Sequence, residues 1–206
     1  MTFAHAAHHG KPSPWVQRWS HLVVPGGAVL DVACGQGRHA RWFHERGHPV
    51  VLVDRDSNAL AGIGLPAEDC EKVTADIESG VWPFGERQFE AVVVTNYLWR
   101  PLMPALLASL APGGVLLYET FAQGHETIGR PSRPDFLLRP GELLQACQAL
   151  RIVAFEDGFL PAHGDAGARF VQRIAAVRPG PQAVQHSGID PSKPPDPARY
   201  ELPEAG

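Results

Sequence analysis

A segment of the chain, VLDVACGQGRHA (29–40), holds the residues best suited to bind a ligand. Its apolar start predicts a buried strand, and Gly35 and Gly37 predict a tight turn at which the backbone can approach a ligand closely. A helix predicted to begin near Arg38 would direct free N–H groups and the positive end of its dipole back at this turn. The segment therefore predicts a binding site for an anionic group, either a phosphate or a carboxylate.

Two ligand classes fit this glycine turn. Residues 35–40 match the G-x-G-x-x-G/A pattern of dinucleotide-binding enzymes. Asp54, at the end of the next apolar run, can accept hydrogen bonds from ribose hydroxyls in either class. These residues alone predict a nucleoside-type ligand and leave its chemistry open.

Three further features favour an amino-acid-bearing nucleoside over a dinucleotide. Asp31 lies inside the glycine motif, where its carboxylate would repel a pyrophosphate but would suit an ammonium group. Asp76 follows the third predicted strand and is placed to accept a hydrogen bond from an adenine amino group. The chain also ends in a helix and two strands rather than in a second βαβαβ half.

The elements that position these residues alternate between apolar strands and helices. We predict strands over 28–32, 49–54, 70–76, 89–96 and 115–121, with helices over 38–46, 57–62 and 101–110. Unbroken apolar strands are usually covered on both faces, and this alternation predicts a doubly wound α/β fold with a parallel sheet. A polar loop (122–140) and a helix (141–150) precede two strands, 151–160 and 169–177, which we expect to pair as a hairpin.

The domain is expected to cover residues 13–178. A short helix over 13–22, with Ser13 as N-cap and Pro14 in its first turn, would either pack on the domain or cover the mouth of the ligand site. Residues 1–12 and the proline-rich segment 179–206 are expected to be disordered tails.

Four motifs together resemble those of class I methyltransferases, which use S-adenosylmethionine (SAM). They are VLDVACGQGRHA, VLVDRD (51–56), the Ala-Asp pair at 75–76 and LAPGGVLLYET (110–120), and the resemblance covers residues 25–178. The nearest group is that of small bacterial methyltransferase-domain proteins, including tellurite-resistance-like members. The resemblance implies a seven-stranded sheet in the order 3-2-1-4-5-7-6 with strand 7 antiparallel. Ala33 stands where the commoner D-x-G-x-G-x-G motif has its first glycine.

The resemblance also assigns cofactor-binding roles to residues of the motifs. The methionine part of SAM, and of the product S-adenosylhomocysteine (SAH), would be surrounded by Asp31, Ala33, Gly35 and Gly37. The ribose and adenine would be held by Asp54, Arg55, Asp76, Ile77 and, near the methyl group, Asn96. For each residue the alternative is a purely local role in a turn or a helix cap.

Candidate catalytic residues are Tyr97, Glu119 and His39. Tyr97 follows the fourth strand in a segment that resembles the family motif next to the transferable methyl group, and Glu119 ends the fifth strand on the same rim. Tyr97 could instead cover the cofactor, and His39 could pack its helix or line the cofactor site. The loop 122–140 is expected to form a lid over the acceptor, with its arginines either recognising an anionic substrate or only exposed to solvent.

Composition limits the partners. The formal net charge of −4 gives no general attraction to nucleic-acid phosphates. The three cysteines form no CxxC pair, which favours a reducing cytoplasm over a disulfide framework. No apolar stretch has the length of a membrane helix, and the histidines show no metal-ligand spacing. We therefore expect a cytoplasmic protein that binds no metal, membrane or nucleic acid; its oligomeric state is left open.

The function expected from these observations is methylation of a small-molecule acceptor by SAM. Three alternatives stay open at this point: an NAD-dependent oxidoreductase, an RNA or protein methyltransferase, and a non-catalytic SAM-binding module.

Overall fold

The fold is built on one seven-stranded sheet flanked by short helices. The computed structural model describes residues 10–164, 167–180 and 199–203. The strands are β1 (Val29–Val32), β2 (Val50–Asp54), β3 (Cys70–Thr74), β4 (Phe89–Thr95), β5 (Leu110–Phe121), β6 (Arg151–Leu160) and β7 (Arg169–Val177). The α-helices are α1 (Pro14–Trp19), α2 (Arg38–His44), α3 (Ser57–Ala61), α4 (Met103–Ala108) and α5 (Glu142–Ala146).

The strand order is β3-β2-β1-β4-β5-β7-β6, which is the order that the family resemblance implies. Strands β1 to β5 pair in parallel, whereas β7 runs antiparallel to both β5 and β6. The chain crosses from β1 outward to β2 and β3, and then returns to β4 on the other side of β1. This reversal opens a crevice beyond the carboxyl ends of β1 and β4, which is where ligands bind in such sheets.

The core has one apolar layer on each face of the sheet. Alternate residues of each central strand point to opposite faces, and all four residues of β1 are buried. Trp15 and Trp19 of α1 pack with Phe43 of α2 on one face, while Leu106 of α4 and Leu143 of α5 pack on the other. The burial on both faces explains why the parallel strands read as continuous apolar runs.

All five predicted helices are shorter in the structure, and the reason is clearest for the last two. The helix predicted over 101–110 ends at Ala108, because Leu110 already pairs with Phe89 and the following Pro-Gly-Gly segment is bonded into the sheet. The helix predicted over 141–150 ends at Ala146, where a turn with a Leu150 N–H to Cys147 carbonyl bond of 2.8 Å leads into β6. The first helix is shortened because Leu110 pairs within the sheet, and the second because its backbone forms a turn before β6.

The predicted tails differ in part from the structure. Residues 10–12 lie against the domain, where the Lys11 carbonyl accepts a bond from Arg38 Nη1 (3.4 Å). The carbonyl of Glu201 is 3.1 Å from His21 Nε2, so residues near the end of the chain also return to the domain. The rest of the two predicted tails lies outside the described residues. None of the helices in the described ranges is both long and apolar enough to cross a membrane.

A glycine substitution tests the packing of α2 on α3. Gly37 has φ of +70°, and a Cβ on it would lie 2.7 Å from Ile63 Cδ1. Gly47 has φ of +81° with no atom within 4 Å of its Cβ position, so it reports backbone strain alone. We expect Gly37→Ala to lower the free energy of unfolding by about 2–4 kcal/mol and Gly47→Ala by about 1 kcal/mol, measured by urea denaturation. Equal losses would show that Ile63 moves aside at no cost.

Candidate active site

The glycine turn between β1 and α2 is held in an uncommon backbone conformation. Ala33, Gly35 and Gly37 have φ values of 52°, 53° and 70°, so three alternate residues are left-handed. The Gly35 N–H donates to Asp54 Oδ2 (2.8 Å), which ties the turn to the end of β2. Ala33 lacks the freedom of the glycine it replaces, and a left-handed alanine is sterically unfavourable. The surrounding bonds therefore hold a turn that the local sequence alone would not favour.

Two cavities open at the carboxyl edge of the sheet, with Ala33 in the wall of both. The first has a volume of about 310 Å³ and is lined by Gly10, Ala33, Cys34, Gly35, Gln36, Arg38, Thr95 and Asn96. The second has a volume of about 190 Å³ and is lined by Ala33, Asp54, Arg55, Ala75, Asp76, Ile77, Glu78 and Tyr97. Most of the residues predicted to bind the cofactor therefore meet around these cavities, on opposite sides of the glycine turn.

Asp31 is buried directly beneath the glycine turn. Its side chain is 1% exposed, and its Oδ2 atom has no hydrogen-bond partner among the described residues. Burial raises the pKa of Asp31 from its ordinary value of 3.8 to about 7, against the lowering effects of the Ala40 N–H and the Arg38 charge. An unpaired carboxylate oxygen in this position is costly unless a donor reaches it, and a ligand ammonium group would supply one.

Asp54 and Asp76, which line the second cavity together with Glu78, differ in their hydrogen bonds. Asp54 accepts from Gly35 N and, through Oδ1, from Asp56 N (2.9 Å), which leaves lone pairs of both oxygens for a ligand. Asp76 is fully exposed and accepts from Glu78 N (3.0 Å) and Ser79 Oγ (2.6 Å). These bonds lower the pKa of Asp76, so its carboxylate is ionised and also caps the turn that follows β3.

The two residues that follow β4, Asn96 and Tyr97, line different cavities. Asn96 has φ of +54°, a conformation that asparagine tolerates well, and lines the first cavity. Tyr97 lines the second cavity, and its buried hydroxyl has no partner among the described residues. Burial, together with the charge of Glu78, raises the pKa of Tyr97, which keeps the phenol neutral. Tyr97 therefore lies on the side of Asp54 and Asp76, rather than with Asn96.

Glu119 and His39 join a buried polar network that is centred on Ser13. The Ser13 hydroxyl donates to Glu119 Oε1 (2.9 Å), and the Ser13 N–H donates to His39 Nε2 (3.1 Å). The second Glu119 oxygen accepts from Arg173 Nη1 (3.3 Å). Burial lowers the pKa of His39 to about 3, so its imidazole is neutral. These bonds favour a positioning role for both residues, and their catalytic roles stay predictions.

Sequence analysis missed Ser13, Arg38 and Arg173 as residues of this region. Ser13 was predicted only as a helix cap, and it does accept a bond from Trp15 N (3.1 Å) in that role. Its contact with Glu119 spans a sequence separation of 106 residues, which no local pattern reveals. Arg173 could have been suspected because it interrupts the apolar strand β7 next to the predicted position of Glu119.

The loop 122–140 is bonded to the domain at several points. Leu138 bridges to Ala122, and the guanidinium of Arg100 binds Glu142 as well as the carbonyls of Asp135 and Leu137. His125 is 4% exposed and stacks on Phe121. Neither cavity is lined by a residue of this loop, and Arg130 and Arg133 are exposed. The predicted lid over an acceptor therefore stays a prediction.

Comparison with known proteins matches this architecture to one family. Residues 29–114, which contain the glycine turn and both cavity-lining strand ends of β1 and β4, match a family model described as "Methyltransferase domain". Over these residues the chain is similar to a methyltransferase domain.

Individual relatives and solved structures also match the chain. The chain is 29% identical over 136 residues to a demethylmenaquinone methyltransferase of Renibacterium salmoninarum, a match that covers 60% of this chain and 56% of the relative. TehB from Haemophilus influenzae superposes with a TM-score of 0.64 at 18% identity, over 77% of this chain and 60% of TehB. The glycopeptide N-methyltransferase MtfA complexed with SAM superposes with a TM-score of 0.57 at 20% identity, over 87% and 100% of the two chains.

Proteins that match this chain are named for different methyltransferase activities. The chain spans about half the length of the curated relatives it matches, and the identities to solved structures show the fold alone. The choice of acceptor must therefore be argued from this chain's own residues.

The raised pKa of Asp31 predicts an unusual pH dependence of stability. The folded protein holds a proton on Asp31 up to about pH 7, whereas the unfolded chain releases it near pH 4, so this group's stabilisation is lost as the pH rises. Between pH 5 and pH 7 the ligand-free protein should lose about 2 kcal/mol of unfolding free energy relative to Asp31→Asn, measured by urea denaturation at each pH. Parallel pH profiles for the two proteins would mean that Asp31 ionises near its ordinary pKa.

Proposed function

We propose that this protein binds SAM across the two cavities and transfers its methyl group to a small-molecule acceptor. The observation that carries the proposal is the buried, unpaired carboxylate oxygen of Asp31 beneath a glycine turn. A ligand that brings both an ammonium group and a nucleoside to this crevice satisfies Asp31 and Asp54 at once. The methyltransferase domain match supports the same ligand.

The residues present fit each part of SAM. The amino-acid end would lie in the first cavity, with its ammonium group toward Asp31 and its backbone contacts at Ala33 and Gly35, where a Cβ on Gly35 would enter open space. The ribose would bind Asp54, and the adenine would lie near Ile77 and Asp76 in the second cavity. The unpartnered hydroxyl of Tyr97 adds a donor or an acceptor on that side.

The same residues argue against a dinucleotide. A pyrophosphate at the glycine turn would face the carboxylate of Asp31, and two anions at close range in a buried site repel strongly. Its binding would require Asp31 to stay protonated, whereas SAM would favour the ionised form. The NAD-dependent oxidoreductase alternative is therefore disfavoured by a single buried group.

The chemistry required of the protein is mainly alignment. Bound SAM would supply a methyl group that is already activated on a sulfonium, so the protein has to hold acceptor and cofactor in line. The network of Ser13, His39 and Glu119 would hold the start of α1 against α2 and β5. A neutral His39 that accepts the Ser13 N–H has no free lone pair on Nε2 for an acceptor proton, which again favours positioning over general-base catalysis.

The acceptor class follows from size and charge. The first cavity, of about 310 Å³, must also hold part of the cofactor, so it suits a small molecule better than a macromolecular surface. The net charge of −4 does not favour RNA. Relatives are named for acceptors as different as demethylmenaquinone and a glycopeptide, so their names do not choose among small molecules.

Ligand binding separates SAM from NAD. We expect SAH at saturating concentration to raise the melting temperature by several degrees and NAD to leave it unchanged, measured by thermal shift, because only a binder of the native state stabilises it. Isothermal titration calorimetry should give one SAH site per chain. Stabilisation by NAD and not by SAH would reject the proposal.

The ribose assignment is tested by Asp54→Ala. Loss of a charged acceptor that also anchors the Gly35 N–H should weaken SAH binding by about tenfold to a hundredfold in calorimetry. The matched control is Asp69→Ala, which removes an exposed carboxylate whose contact is with His44 at 3.3 Å. An SAH affinity for Asp54→Ala equal to that of Asp69→Ala would remove Asp54 from the site.

A further inference from the structure

Two arginines near the carboxyl edge of the sheet, Arg38 and Arg169, form no ion pair with a carboxylate of the described residues. Arg38 begins α2 and lines the first cavity, where its only hydrogen bonds among the described residues are long ones, to the Lys11 carbonyl (3.4 Å) and Thr95 Oγ1 (3.3 Å). Within the described ranges no Asp or Glu oxygen lies within 4.0 Å of its guanidinium. Most of its donors are therefore available to a ligand.

Arg169, at the start of β7, likewise has guanidinium donors that are available to a ligand. Its Nε atom is buried and has no hydrogen-bond partner among the described residues, and no carboxylate of those residues pairs with its guanidinium. A buried donor of a charged group without a partner is destabilising, so the site is incomplete without an acceptor.

The sheet places Arg169 on the side of the cavity. Alternate residues of β7 share a face, so Arg169 lies on the face of Arg173, which contacts Glu119 across from it on β5. Val171 pairs with Phe121 at the end of β5, which puts Arg169 beyond that end, at the carboxyl edge where the cavity opens. Burial has the largest effect on the pKa of Arg38 and lowers it, the charges of Glu119 and Asp31 raise it, and the charge of the nearby Arg169 lowers it further.

The charges of Glu119 and Asp31 act on Arg38, but neither acid forms an ion pair with Arg38 or Arg169 among the described residues. Both oxygens of Glu119 are already engaged, by Ser13 and by Arg173, and Arg173 also binds Glu156. Asp31 retains its proton up to about pH 7 in the ligand-free protein, and an ammonium group would engage it once a cofactor binds. The guanidinium groups of Arg38 and Arg169 thus keep hydrogen-bond donors that no carboxylate of the described residues occupies.

We propose that Arg38 and Arg169 together bind an anionic group, a carboxylate or a group of like charge, on the methyl acceptor. This inference rests on the proposed function for the identity of the acceptor, but the anion site itself is independent of turnover. Guanidinium groups pair with carboxylates through two parallel hydrogen bonds, and a pair of arginines selects such a group over a neutral isostere. The acceptor is then a small organic anion rather than a neutral metabolite.

The test uses acetate as the probe and acetamide as its neutral isostere. Acetate, exchanged for chloride at constant ionic strength, should raise the melting temperature of the SAH-saturated protein, and acetamide should not. The apparent acetate affinity should fall at least tenfold in Arg38→Met and in Arg169→Met. Arg169→Lys should retain intermediate affinity, because it keeps the charge and loses the two-pronged geometry.

The matched control is Arg151→Met. Arg151 begins the neighbouring strand β6, is exposed and also has no carboxylate partner in the described part of the chain, so its loss changes the net charge equally. Acetate should stabilise this variant as it does the parent protein. Equal acetate responses in Arg151→Met and Arg169→Met, or equal responses to acetate and acetamide, would overturn the proposal.

A second source of carboxylate is the methionine end of the cofactor itself. Calorimetry with SAH distinguishes it: we expect Arg169→Met to bind SAH within twofold of the parent protein. A tenfold loss of SAH affinity with an unchanged acetate response would assign the pair to the cofactor and overturn the acceptor proposal. Failure of SAH to bind the parent protein would instead reject the proposed function, while acetate binding measured without SAH would still report on the arginine pair.

Discussion

The hydrogen bond from the Gly35 N–H to Asp54 Oδ2 is the contact on which the shape of the site depends. It joins the turn after β1 to the end of β2, so the two cavities lie on either side of a fixed backbone segment. Without it the left-handed residues of the turn, and Ala33 in particular, would relax toward commoner conformations. A residue proposed to hold a ribose thus also shapes the loop that would hold the amino-acid end, and the two halves of the site form as one unit.

The strands and turns that surround the site could be predicted from the sequence because each is encoded by neighbouring residues. The glycine turn, the acid at the end of β2 and the alternation of strands and helices are each contained in about ten to twenty residues, and the strand order follows from the family resemblance. The hairpin of β6 and β7 was predicted with its observed bounds, since no helical segment separates the two strands. The end of the helix predicted over 101–110 was wrong because Leu110 pairs with Phe89 in the sheet.

The interior of the site could not be predicted in this way. Ser13 meets Glu119 from 106 positions away, and Arg169 reaches the neighbourhood of Arg38 only because β7 folds back beside β5. Sequence analysis left Arg130 and Arg133, in the polar loop, as either anion binders or solvated charges. Both are exposed, and Arg133 pairs with Asp135 at 2.9 Å. Arg38 and Arg169 are partly buried and lie at the start of a helix and in a strand. A single charged residue at such a position gives no sequence signal of a binding site.

The placement of these charges bears on how an acidic protein could accept an anionic substrate. A net charge of −4 describes the long-range field, which is screened within about 10 Å at moderate ionic strength. At short range the neighbouring groups determine the field: Glu119 pairs with Arg173, and a cofactor ammonium group would pair with Asp31. Arg38 and Arg169, which form no ion pair among the described residues, would then offer their donors to an anionic acceptor. Gly10 lines the first cavity with Arg38, and the Lys11 carbonyl accepts a bond from the Arg38 guanidinium, so the chain before α1 helps to position one of these donors. A donor positioned before binding lowers the ordering cost of binding a carboxylate.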